Sequence, residues 1–389
     1  MYNFILNNPT KIYFGDEWYN SIGEVIKEYG SRVMIVYGGN SVKQIGILEK
    51  IEHILIKNNI HFIRFGGVET NPRTSKVNSG SLICRNEGID VILAIGGGKV
   101  IDCAKAISIG YFYEGDCWDI IMKKVQVSRA LPIIAIPTIA GTGSEMNNTC
   151  VISNEKMRMK RGFSNELLQP KVSFLDPQLT YSVNEFQTAC GAVDILSHVL
   201  DTTYLVSGRK MDMLNDIMES ICRTVIRYSV IAIEEPKNYE ARANLMWAST
   251  WALNGFLKNG VKQLASCHAI EHELSAFYDI THGLGMAIVM PRYYDNIITT
   301  QNAHYFEGLA KNVFCVEKDL NSLQAAQEMI GKMKEFFFNT LHLPSSLSEL
   351  GIGEEEFENM ANNICWGQTL PGLEVLSVGD VVKILKECL

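Results

Sequence analysis

Residues 91–101 read Val91-Ile92-Leu93-Ala94-Ile95-Gly96-Gly97-Gly98-Lys99-Val100-Ile101. An unbroken apolar run fits a strand buried on both faces, and three glycines stop it. Beyond them Val100, Ile101, Ala104 and Ile107 recur at helical spacing. Without Cβ atoms the backbone can approach an anion closely, and the helix start offers unpaired N–H groups. Ile101 stands where the third glycine of a GxGxxG fingerprint belongs, so on its own the segment is explained as well by a tight strand-to-helix turn.

The same grammar extends on either side. Val33 to Tyr37 ends in Gly38-Gly39-Asn40. After Ser41, a candidate N-cap, Val42, Ile45, Leu48, Ile51 and Leu55 repeat with helical period. His61 to Phe65 reads as a further strand, and Ile133 to Ile136 runs into Pro137. Buried strands joined by helices predict a mostly parallel sheet covered on both faces. The loop Pro137-Thr138-Ile139-Ala140-Gly141-Thr142-Gly143-Ser144-Glu145 offers hydroxyls and glycines after one of those strands. Two such loops facing one crevice at the strand ends favour a bound dinucleotide.

From about Thr180 the texture changes. Gln187–Thr203, Lys210–Tyr228, Tyr239–Leu257 and Lys262–Tyr278 read as long helices, and convincing strands do not return. A boundary near Asp176-Pro177 gives residues 1–178 as an α/β dinucleotide-binding domain and residues 179–389 as an all-helical domain. The length suits two domains. A formal net charge of −8 argues against nucleic acid and anionic membrane as general partners. The ten cysteines are scattered without a CxxC pair, and no apolar stretch is long enough to span a bilayer. The N-terminus does not read as a signal peptide, and a reducing cytoplasm is the expected compartment.

The helical half concentrates histidine. Asp194 and His198 are four apart, as are His268 and His272, and His282 follows in Thr281-His282-Gly283. On a helix that spacing places two side chains on one face. An imidazole–carboxylate set suits Fe(II) or Zn(II). The alternative is a set of ordinary helix-surface pairs. Cys267 reads as a small buried hydrophobe, and Gly283 as a residue that ends a helix or relaxes the chain.

With these residues in view the sequence resembles the iron-containing, or group III, alcohol dehydrogenases, in particular their butanol dehydrogenase-like branch. The likeness runs through Tyr37-Gly38-Gly39-Asn40-Ser41, Asn71-Pro72-Arg73, Gly96-Gly97-Gly98 with Asp102 and Lys105, Pro137 to Glu145, Leu175-Asp176-Pro177, and Asp194 with His198. It is most specific in His268 to Ala276 and Asp279 to Gly283. The resemblance implies a Rossmann-like N-terminal domain, an all-α C-terminal domain, a cleft between them and a homodimer. It implies metal ligands at Asp194, His198, His268 and His282, with one Fe2+ or Zn2+ per chain. His272 matches a histidine kept beside the site and is the candidate to relay the alcohol proton, or else a structural hydrogen-bonding group. Cofactor contacts would be Gly38, Gly39, Asn40, Gly97, Gly98, Lys99, Thr138, Thr142, Ser144, Asn147 and Lys160. Lys99 and Ile139 depart from the family's usual serine and threonine.

The implied activity is metal-dependent, NAD(P)-linked interconversion of a small primary alcohol and its aldehyde, such as butanol and butanal. No acid follows the strand at Gly38-Gly39-Asn40-Ser41, which favours NADP(H) over NAD(H). Trp247, Trp251, Leu253, Phe256 and Leu264 lie near the metal motifs in sequence; most read as helix core, and any that line the site would favour an alkyl substrate. A dehydroquinate synthase-like lyase, a metal hydrolase and a non-catalytic nucleotide-binding module are the competing readings.

Overall fold

A computed structural model describes residues 2–206, 211–262, 264–317 and 319–389. Among the described residues there are eight strands: β1 (Lys11–Phe14), β2 (Arg32–Tyr37), β3 (His61–Phe65), β4 (Val91–Gly96), β5 (Ile133–Pro137), β6 (Thr149–Asn154), β7 (Met159–Ser164) and β8 (Val172–Leu175). The helices among them are α1 (Ile22–Lys27), α2 (Ser41–Gln44), α3 (Ile47–Lys57), α4 (Thr74–Glu87), α5 (Gly98–Gly110) and α6 (Cys117–Ile121). Further along come α7 (Glu185–Val199), α8 (Asp212–Glu234), α9 (Tyr239–Ala252), α10 (Ser266–Tyr278), α11 (His282–Ile297), α12 (Glu307–Asn312), α13 (Ser322–Lys334), α14 (Phe357–Cys365) and α15 (Val378–Glu387). No described helix is long and apolar enough to cross a membrane.

Contacts divide the chain into two compact units. One comprises residues 7–183 and 236–254, the other residues 1–6, 184–235 and 255–389. The first holds a six-stranded parallel sheet of order β1-β8-β5-β4-β2-β3. Its strands are apolar on both sides because both sides are covered. Val33, Ile35, Leu93, Ile95, Ile134 and Ile136 pack with α1 and α3, while Met34, Val36, Ile92, Ala94 and Ala135 pack with α4, α5 and α6. The four strands expected from sequence are present. Missed were the short strands β1 and β8, and the antiparallel β6–β7 hairpin, whose polar residues carry a weak signal. The expected helix after Ser41 is broken at Gly46 into α2 and α3, and Asn40 rather than Ser41 occupies the N-cap, with no side-chain cap.

The loop after β5 rests on buried polar groups of its own unit. Lys105, wholly buried on α5, donates from Nζ to the Asn147 carbonyl, Asn147 Oδ1 and the Thr149 carbonyl, each at 2.9 Å. Its neighbour Asp102 accepts from Ser144 Oγ at 2.6 Å and from the Val151 amide at 3.1 Å. Helix α9 closes the other side. Ser249 Oγ accepts from the amides of Gly141 and Gly143, and Thr250 Oγ1 donates to buried Glu145 at 2.6 Å. Thus α9, expected among the helices of the C-terminal half, packs with the sheet's unit.

The second unit is helical, with no named strand among its described residues. Helix α7 packs on α8 and α11, and α11 on α10. Gly283, the second residue of α11, lies so close to the Cys190 carbonyl of α7 that an added Cβ would collide with backbone. It neither ends a helix nor loosens the chain, as the sequence reading had allowed. Instead it permits two helix backbones to touch one turn before Asp194. Helix α10 ends at Tyr278, with Asp279 in the left-handed conformation. Of the four expected helical segments, 210–228 begins at Lys210, outside the described residues; its described part continues as α8 to Glu234.

Two measurements follow. Lys105→Met removes three hydrogen bonds and leaves buried carbonyl oxygens unpaired, so urea unfolding is expected to show a loss of about 3 kcal/mol. Burial pulls the Lys105 amine down to about 8 from an ordinary 10.5. Between those values the unfolded chain binds more protons at this group, so Lys105 contributes more stability as pH rises from 8 to 10.5, and the margin of wild type over Lys105→Met widens over that range. A constant margin would contradict this. Gly283→Ala forces α11 away from α7 and is expected to lower stability by about 2–4 kcal/mol, since backbone cannot rotate aside as a side chain does; an unchanged thermal midpoint would refute it.

Candidate functional site

The four expected metal ligands come together in the helical unit. Helix α7 presents Asp194 and His198 one turn apart, with His198 Nε2 3.6 Å from Asp194 Oδ1. His282 opens α11, and its Nε2 also lies 3.6 Å from Asp194 Oδ1. His268, in the first turn of α10, stacks against His198 with ring centroids 5.3 Å apart. One ring nitrogen from each of His198, His268 and His282 lies within 4.8 Å of the other two. All four side chains are buried, with 8% exposure each.

The outward ring nitrogens are held by carboxylates. His268 Nδ1 lies 2.7 Å from Asp201 Oδ2, and His282 Nδ1 is hydrogen-bonded to Glu271 Oε2. An ionised carboxylate only accepts, so in both rings Nδ1 carries a proton, and in the neutral imidazole that leaves Nε2 with its lone pair. Glu271 is fully buried and also accepts from Ser275 Oγ. Three imidazoles and a carboxylate combine borderline nitrogen with hard oxygen, a donor set that fits Fe(II) or Zn(II). Asp201 and Glu271 were not singled out from sequence. The available signal was position: Asp201 lies three residues after His198, and Glu271 sits between His268 and His272.

His272 is half-buried at the edge of this cluster, its ring 5.5 Å from that of His282 and 6.3 Å from that of His268. It forms a second close group with Glu271 and His282. Cys267 is buried, and burial raises its thiol well above the ordinary range, which fits the small hydrophobe expected from sequence. Of the apolar residues noted near the metal motifs, Trp247, Trp251 and Leu253 belong to the unit of the sheet. There Trp247 meets Phe14 edge-on at 5.6 Å.

In the sheet unit, three glycine-bearing or hydroxyl-bearing loops leave the carboxyl ends of adjacent strands. Gly38, Gly39 and Asn40 follow β2, Gly97, Gly98 and Lys99 follow β4, and Thr138, Thr142 and Ser144 follow β5. Gly97 is the N-cap of α5, and an added Cβ at Gly98 would overlap the Thr142 side chain. Glycine there lets the second and third loops touch. Ser144 and Asn147 are buried and engaged with Asp102 and Lys105, so they shape the loop from beneath. Lys160 is buried on β7. The loop's inner acid, Glu145, is pushed above the usual carboxylate range by burial, against the opposing Thr250 hydroxyl.

Comparison with known proteins agrees with this geometry. The model for iron-containing alcohol dehydrogenase matches residues 9–177, and that for the C-terminal region of the Fe-containing alcohol dehydrogenase family matches residues 188–389. The chain is 44% identical to NADH-dependent butanol dehydrogenase A of Clostridium acetobutylicum, with both chains covered in full. It is 33% identical to the NADPH-dependent aldehyde reductase YqhD of Escherichia coli over 90% of each. The crystal structure of NADH-dependent butanol dehydrogenase A from Thermotoga maritima is similar with a TM-score of 0.93, at 38% identity over 99% of this chain and 98% of that one. The chain belongs to the iron-containing alcohol dehydrogenase family and is an oxidoreductase that interconverts alcohols and aldehydes with a nicotinamide dinucleotide.

Proposed function

We propose that Asp194, His198, His268 and His282 hold one divalent ion, Fe(II) or Zn(II), per chain, and that the substrate is a small primary alcohol or aldehyde such as butanol or butanal. The observation that carries this reading is the convergence of three histidine nitrogens beside the buried Asp194 carboxylate. When bound, the ion supplies Lewis acidity to the substrate oxygen, and the dinucleotide supplies or accepts the hydride. The protein's own part is to hold the ligand nitrogens inward through Asp201 and Glu271 and to exclude water by burial. His272, at the margin of the cluster, is assigned to carry the alcohol proton, a transfer imidazole suits near neutral pH.

The dinucleotide is assigned to the loops after β2, β4 and β5. Backbone amides at Gly38, Gly39, Asn40, Gly97 and Gly98 suit its phosphates, with Lys99 adding positive charge and Thr138 and Thr142 offering hydroxyls. Ser144, Asn147 and Lys160 complete the set from the buried side. The proposed domains follow, with one exchange: residues 1–178, joined by α9, serve the dinucleotide, and the rest of residues 179–389 serves the metal. All ten cysteines are free thiols, nine of them buried, which supports a reducing cytoplasmic setting. The family resemblance supports a homodimer, and sedimentation should give about twice the chain mass.

Three measurements test the reading. Absorbance of reduced nicotinamide, followed with butanal, is expected to fall with the wild type. His268→Ala should lose most of its bound metal and roughly 10²-fold or more in kcat/KM while remaining folded. Full metal content in that variant would exclude His268 as a ligand.

The dinucleotide itself has two readings. Gly39 is exposed with open space around it and no acid accompanies it, which favours NADPH because nothing there repels a 2′-phosphate. The names of the Clostridium and Thermotoga relatives favour NADH. The ratio of kcat/KM for the two cofactors decides between them. On the first reading NADPH is preferred and Gly39→Asp moves the preference toward NADH; a wild type already more efficient with NADH establishes the second.

An alkyl substrate would gain about 0.8 kcal/mol for each methylene buried, close to fourfold in binding. We expect kcat/KM to rise from ethanol to butanol, with the aldehydes in the same order. Flat values from two to six carbons would exclude an apolar substrate site.

A further inference from the structure

We propose that Asp201 is the positioning residue on which the metal-binding form of His268 depends, acting through the ring and through the start of α10 together. The inference rests on the metal assignment above. Asp201 lies in the wide turn Leu200–Tyr204 that follows α7 directly, and it is 4% exposed. Its carboxylate receives three hydrogen bonds from one short stretch of another helix. The Cys267 amide donates to Oδ1 at 3.2 Å, the His268 amide donates to Oδ2 at 3.0 Å, and His268 Nδ1 donates to the same Oδ2 at 2.7 Å.

The local N-cap of α10, Ala265, has no side-chain acceptor for these amides. Asp201 therefore serves as the cap from outside the helix, with its negative charge at the positive end of the helix dipole. The element that carries Asp194 and His198 is thereby fastened to the first turn of the element that carries His268. Because one oxygen receives both the backbone amide and the ring N–H of His268, the ring is held in register with the start of the helix, and turning it breaks the bond of Nδ1 to Oδ2. The tautomer is fixed by the same contact, so Nε2, which lies 3.4 Å from Ser197 Oγ beside His198, keeps its lone pair before any metal arrives. Glu271 does the corresponding work for the ring of His282, the first residue of α11, and also accepts from Ser275 Oγ.

The test separates capping from ligand control. Asparagine caps helices about as well as aspartate, but its neutral amide accepts the ring proton less strongly and turns a donor toward the Cys267 amide. Metal-stripped wild type, Asp201→Asn and Asp201→Ala are titrated with Zn(II) against a chromophoric chelator. Amide exchange of the first turn of α10 is read in parallel. For Asp201→Asn the expectation is Zn(II) affinity 10- to 100-fold below wild type with first-turn protection largely retained. Asp201→Ala should lose both affinity and protection. In metal-free wild type, 15N shifts of the His268 ring should report the Nδ1–H tautomer.

Zn(II) affinity within twofold of wild type in Asp201→Asn would overturn the proposal, as would an Nε2–H tautomer in the metal-free protein. Wild type that takes up no Zn(II) and no Fe(II) would instead overturn the metal assignment and this inference with it. Wild type that binds while the Asn variant binds equally well would leave the metal assignment standing and remove only Asp201.

Discussion

On the proposed metal assignment, the helical unit answers to one constraint: four polar side chains must be kept out of water and pointed at each other. Asp194, His198, His268 and His282 all have 8% side-chain exposure. Burying a carboxylate is costly unless a cation or hydrogen bonds compensate, and burying imidazoles is tolerable only when each N–H finds an acceptor. Two further buried carboxylates, Asp201 and Glu271, meet the second requirement for His268 and His282. On the proposed metal assignment, a divalent ion at the nitrogens would meet the first. The cluster is thus stable as a set and poor as individual residues, and helix packing has to deliver all of it at once. The backbone contact between Gly283 and Cys190 and the reach of Asp201 to α10 are the two places where packing and ligand geometry are the same fact.

The sheet unit solves a different problem. If the loops after its strands are to receive a phosphate, as proposed, they must leave backbone amides unpaired at the surface and yet not collapse onto them. Glycine supplies the first property, and the buried network supplies the second. Lys105 and Asp102 hold the loop from the α5 side, while Ser249 and Thr250 of α9 hold it from the other. That α9 belongs here explains a feature that chain order alone hides. The helix that follows α8 leaves the helical unit, supports the loop after β5, and hands the chain back at Gly255.

How much of this was legible follows from the range of each interaction. Strands β2 to β5 announced themselves because burial on both faces writes an unbroken apolar run. Strands β1 and β8, each only four residues long, and the hairpin of β6 and β7 write no such signature. The pairs Asp194–His198 and His268–His272 were visible because helical spacing is a local property. Their assembly was not, since it depends on α7, α10 and α11 meeting. Resemblance to a family supplied that step, and in the structure the four side chains lie beside one another. Asp201 and Glu271 were illegible for a deeper reason. A carboxylate that supports a ligand needs no fixed spacing from it, only a tertiary contact, and Asp201 reaches across 67 residues to do so. Gly283 was misread for the same reason: its task is interhelical, while its sequence context suggests a local one.

The two departures from the family pattern become intelligible on the same physical terms. Ile139 places Cγ2 only 2.7 Å from where a Cβ on Gly97 would stand, so its bulk is accommodated because the neighbouring loop has none. The substitution trades a hydroxyl for apolar contact within the loop pair. Lys99 is the second residue of α5, where a cation opposes the helix dipole by about 0.3–1 kcal/mol. A phosphate at the amides of Gly97 and Gly98 reverses that sign, because the lysine then faces an anion rather than the bare positive end of the helix. A first-turn lysine beside a glycine cradle is thus a residue whose presence is unfavourable to the free helix and favourable to the complex. On the proposed cofactor assignment, that difference would favour the complex, since the favourable contact exists only when the anion is there.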